Sequence, residues 1–97
     1  MAYFVVISDQ GLAWDESIPM RQQADWAGHA VFMNGLTADG FVLLGGPVGD
    51  ETRHRARLIV RADSEAEVRK RLAADPWARN GLLTIESIEE WEVLLSP

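Results

Sequence analysis

The segment Ala2 to Ser8 (AYFVVIS) places the tightest constraint on the fold. It is rich in aromatic and β-branched residues and reads as a β-strand. Side chains alternate along a strand, so Tyr3, Val5 and Ile7 point one way and Phe4 and Val6 the other. Both faces are apolar, which calls for a central strand with cover on both sides. Asp9-Gln10-Gly11 ends the strand with turn chemistry. The following segment to Pro19 is a loop whose Leu12, Trp14 and Ile18 are apolar enough to lie over something.

From Met20 to Thr37 the pattern is helical, with Pro19 suited to its first turn. Ala24, Ala27 and Val31, with Ala30, Met33 and Leu36, form a broad apolar band. Gly28 inside this helix costs on the order of 1 kcal/mol relative to Ala, which points to close packing or a nearby ligand. Phe41 to Leu44 is a second strand ending at Gly45-Gly46-Pro47, and a polar loop runs on through Asp50. The third strand, His54 to Ala62, places Ala56, Leu58 and Val60 on one face and Arg55, Arg57, Ile59 and Arg61 on the other. Ser64 and Glu67 form a capping box for a second helix over Ala66 to Asp75. One more helical turn follows Asp75-Pro76-Trp77, Gly81 stops it, and Leu82 to Leu95 supplies the fourth strand.

This order, strand–helix–strand–strand–helix–strand, is that of an α+β, ferredoxin-like βαββαβ domain. It predicts a four-stranded antiparallel sheet with two helices on one face, in a single domain over 1–97. The other sheet face is then open, and a second copy of the chain is its simplest cover. A homodimer is expected, with Arg55, Arg57 and Arg61 meeting Glu86, Glu90 and Glu92 across the interface.

The net charge of −6 argues against non-specific nucleic-acid binding. Eight of the nine basic residues lie between Arg53 and Arg79, with only four of the fifteen acids. Such asymmetry fits paired faces. There is no cysteine, and two histidines without a close helical pair give no metal site. No apolar run approaches the roughly 20 residues of a membrane span. The N-terminus lacks a basic region followed by an apolar core, so a cytoplasmic protein is expected.

The chemistry centres on Asp75, which shares the helical stripe of Val68 and Leu72. An acid on an apolar face needs a partner. His29, at the edge of the buried band of the first helix, is the obvious one. Two other readings stand beside this. Asp25, at i−4, satisfies His29 locally, and Asp75 before Pro76 is a natural helix N-cap. Capping and facing His29 are compatible, because one carboxylate oxygen can do each. Trp26 and Trp77 flank the proposed pocket, while Trp91 reads as sheet core. Gly46 and Pro47 lie where the backbone can approach a ligand or simply form a bulge. His54 starts a strand beside arginines and reads as exposed.

These residues resemble the YciI-like (YCII-related) family. The likeness runs through His29, Leu36 to Phe41, Leu43-Leu44-Gly45-Gly46-Pro47, Leu72-Ala73-Ala74-Asp75-Pro76-Trp77 and Gly81-Leu82. It implies a dimeric α+β barrel similar to muconolactone isomerase, and a histidine–aspartate dyad carried onto His29 and Asp75, with Asp25 and Asp39 as rival carboxylates. A relative acting on a chlorinated hydroxyquinol implies proton transfer on a small ring. The loop Asp9 to Pro19, with Trp14, is longer than in other members and would reshape the pocket mouth. The expectation is a small dimeric enzyme without metal or organic cofactor, either an isomerase, a lyase or a dehalogenase. In it His29 acts as acid/base, Asp75 orients it, and Gly46, Pro47, Trp26 and Trp77 shape the pocket. The alternative is a non-catalytic module that binds a small ligand in the same place.

Overall fold

The computed structural model describes residues 1–49 and 53–97. The loop expected through Asp50 falls partly outside them. Strands β1 (Ala2–Gln10), β2 (Val42–Pro47), β3 (Arg55–Ala62) and β4 (Leu83–Trp91) form one antiparallel sheet in the order β2-β3-β1-β4. Helices α1 (Trp26–Ala38), α2 (Glu65–Leu72) and α3 (Pro76–Arg79) complete the ferredoxin-like α+β unit. Among the described residues, no helix is long and apolar enough to cross a membrane.

The two-sided apolar strand lies between β3 and β4, where its sequence places it. On one face, Phe4, Val6, Val60 and Ala62 pack with Leu36, Val68 and Leu72 from the helices. Complete burial of Val6, Val60 and Val68 contributes roughly 1.5–3 kcal/mol each. Among the described residues, no helix covers the other face. Tyr3 and Trp91, opposite one another across β1 and β4, are 36% and 43% exposed, so Trp91 is not sheet core.

The first helix starts later than its periodicity suggests. Met20–Gln22 is a single 3-10 turn, and Asp25 takes a left-handed conformation (φ 59°) that resets the chain before Trp26. The cause is Gln23, which is buried and sends its side chain back to the preceding loop. Its Nε2 donates to the Asp15 and Ile18 carbonyls, and its Oε1 accepts from the Asp15 amide. The reset turns the inward face of α1 to His29, Phe32, Met33 and Leu36, the i, i+3, i+4, i+7 pattern. Ala24, Ala27 and Val31 face outward, contrary to the expected band.

The fourth strand ends at Trp91, short of the expected Leu95, and carries a bulge opposite Ile7 and Ser8. The bulge puts Ile85 and Ile88, three apart, on the same covered face. It also lets Arg55 reach Glu86 at 3.2 Å within one chain, across β1, so this pair does not wait for a partner. Glu90 pairs with Phe4 and therefore shares the helix side, away from Arg57 and Arg61, and Glu92 lies beyond the strand. The Gly45-Gly46-Pro47 segment belongs to β2, and proline is tolerated there because β2 is an edge strand.

Candidate active site

Two helix ends meet at the site. The Ser64 hydroxyl accepts from the Glu67 amide, as half of the expected capping box, and α2 runs on to Leu72 rather than Asp75. The chain then turns, and Asp75 caps α3: its Oδ1 accepts from the Trp77 amide at 3.0 Å, with Pro76 at the first helical position. Asp75 nevertheless stays on the inward side, 5% exposed. Gly28 brings α1 close to this corner, since a Cβ there would sit 3.4 Å from the Pro76 ring. That is an ordinary van der Waals distance, so an alanine would also fit and packing alone does not explain the glycine.

Across the corner, His29 Nδ1 lies 2.9 Å from Asp75 Oδ1 and 2.8 Å from Oδ2. The rival carboxylates have other partners. Asp25 accepts from the Asn80 side chain, and Asp39 pairs with Arg71 at 3.0 Å. Trp77 is fully buried beneath His29, their rings stacked at 3.8 Å and 8°. The Trp77 indole is itself pinned by a 2.7 Å hydrogen bond from Nε1 to the Ala24 carbonyl. Trp26 leans against both rings, at 5.8 Å from His29 and 5.6 Å from Trp77.

With Nδ1 donating to a carboxylate, Nε2 of the neutral ring keeps its lone pair. The His29 side chain is 14% exposed. It borders a cavity of about 710 Å³ between the helices and the sheet. That volume suits a small organic molecule. Gly46 and Pro47 line it from β2, Trp26 and Trp77 from the helices, and Leu58 from β3. A Cβ on Gly46 would meet only open space, so it is not close backbone approach within the chain that requires glycine there.

His54 also lines this cavity. It is half-buried, not exposed as its position beside arginines suggests. Trp14, from the long loop after β1, stacks on it at 4.2 Å and 13°, and meets Trp77 edge-on at 5.4 Å. Burial and the nearby His29 hold the His54 pKa below the ordinary histidine value, against a smaller opposing pull from Asp9. The sequence signal for His54 is faint: only the apolar loop with Trp14 indicates that something is being covered.

The YCII-related domain profile matches residues 1–92. The chain belongs to the YCII-related family. Among solved structures it is similar to the 5-chloro-2-hydroxyhydroquinone dehydrochlorinase (TftG) of Burkholderia phenoliruptrix AC1100, in complex with 2,5-dihydroxybenzoquinone. The two share 23% identity over 92% of this chain and 93% of that one, with a TM-score of 0.67, a likeness of fold. Comparison with curated protein sequences finds no match. Within this YCII-related chain, His29 and Asp75 sit 46 residues apart in sequence and in hydrogen-bond contact in space.

Proposed function

We propose that this YCII-related protein is a small-molecule enzyme that moves a proton on a compact, ring-shaped substrate, without metal or organic cofactor. The observation that carries the reading is the Asp75–His29 pair beside an apolar cavity. Asp75 fixes the Nδ1–H tautomer and stabilises the imidazolium that forms when Nε2 takes a proton. Trp77 below and Trp26 beside it hold the ring in one plane. Gly46 and Pro47 form the facing wall without side-chain bulk. The neighbouring fold that acts on a chlorinated hydroquinone supports a ring as the substrate class, and isomerisation or loss of halide as the outcome.

The protein works in this reading as a homodimer in which a second copy covers the open sheet face bearing Tyr3, Val5, Ile7 and Trp91. The test of the function is turnover of 5-chloro-2-hydroxyhydroquinone and related dihydroxylated rings. His29→Asn, whose side-chain amide can still donate to Asp75, should abolish it while keeping the melting temperature within about 5 °C. A melting temperature that collapses, with no wild-type turnover to lose, would make His29 a packing residue. A second reading, a module that holds a ligand unchanged, draws on the same apolar walls. Tight binding of a ring that is recovered intact after prolonged incubation would favour it.

A further inference from the structure

The cavity holds a second imidazole that the dyad does not use. His54 leads into β3 opposite the end of β1, with its amide bonded to the Gln10 side chain and its carbonyl accepting from the Gln10 amide. Its ring is fixed independently of the dyad. Trp14 covers one face, and the Trp14 loop is stitched down by Gln23 and by backbone bonds from Gly11 to Leu82 and from Ala13 to Gly81. The two imidazoles use the same indole differently: His29 lies flat on Trp77, and His54 meets it at right angles, with ring centroids 6.3 Å apart. They come from different elements and line the same cavity.

We propose that His54 is a second substrate-contacting group, which donates a hydrogen bond to an oxygen at the end of the ring remote from His29. This rests on the reading of His29 as the proton acceptor. When His29 Nε2 takes a proton from the substrate, the electron pair left behind spreads through the conjugated ring to an oxygen at the far end. His54 meets that oxygen with its N–H and transfers no proton. The proton on His29 returns to a different ring atom in an isomerisation, or stays until a halide leaves. Its partial burial and the nearby His29 favour the neutral form of His54, and a neutral imidazole is a donor that needs no counter-ion. The substrate class then narrows to flat rings with oxygens at opposite ends, held edge-on between two histidines.

The test uses 2,5-dihydroxybenzoquinone as probe, with binding read from tryptophan fluorescence for the wild type, His54→Phe, His54→Gln and His29→Gln. Phe keeps the stack on Trp14 and loses the donor, while Gln keeps a donor. His54→Phe should bind about tenfold more weakly or worse, and His54→Gln within about threefold of the wild type. Wild-type affinity in His54→Phe, with a loss in His29→Gln, overturns the role of His54 alone. Equal losses in His54→Phe and His54→Gln overturn the donor role. Wild-type affinity in His29→Gln, or no binding by the wild type, overturns the reading of the His29 end and this one with it. A measurement on the unaltered protein stands beside these in case a variant folds poorly. The ring proton signals of His54 should shift on adding the probe, and signals that do not move overturn the assignment.

Discussion

Asp75 Oδ1 accepts from the Trp77 amide while both oxygens lie within reach of His29 Nδ1, so substitutions there separate capping from chemistry. Asp75→Asn keeps an oxygen for the cap but turns an N–H toward His29. That forces the ring into the Nε2–H tautomer and removes the lone pair from the cavity side. Activity should fall at least a hundredfold, with urea unfolding shifted by less than about 1 kcal/mol. Asp75→Ala removes the cap as well and should cost roughly 1–3 kcal/mol. His54 makes a separate prediction. Its folded pKa lies below the ordinary value of 6.5, so the unfolded chain binds the extra proton first. Stability should therefore fall as pH drops from about 6.5 through the folded value, and His54→Gln should flatten that part of the curve. Asp9, held below the ordinary carboxylate value by the Arg53 guanidinium, acts at much lower pH and leaves this window clear.

At the scale of elements, what the sequence discloses depends on how local the cause is. Ser64 and Asp75 announce their helix starts because a cap acts over two or three residues. The alternation of β3 is legible because one face packs against the helices and the other carries arginines. The start of α1 is not legible, since Gln23 resets it through bonds to residues five and eight positions earlier. The bulge in β4 hides in the same way: Ile85 and Ile88 make sense together only against β1. His54 and Trp14 are 40 residues apart, and nothing short of the fold brings them together. Two substitutions probe this loop. Gln23→Ala leaves the Asp15 amide and carbonyl without their partner and should cost about 1–3 kcal/mol. Gly11→Ala drives a Cβ into the Gly81 carbonyl, so the β1 end must shift; the expected loss is about 1–3 kcal/mol, seen as a lower melting temperature.

For the whole molecule, the sheet has one face packed by helices and one face on which Tyr3 and Trp91 are exposed and Val5 and Ile7 partly buried. Sedimentation at micromolar concentration should give twice the 10.8 kDa of the chain. Trp91→Lys should shift it toward monomer with the circular dichroism unchanged; a wild-type monomer would contradict the dimer while leaving the dyad untouched. The dyad and cavity form within one chain, and the claim that they move a proton has its own direct test. In deuterated water, 2,5-dihydroxybenzoquinone should exchange its ring hydrogens faster with the wild-type protein than alone, by mass spectrometry or proton NMR. His29→Ala and Asp75→Asn should return exchange to the uncatalysed rate. Exchange that the wild type does not accelerate, or that survives loss of His29, would contradict proton transfer at this site.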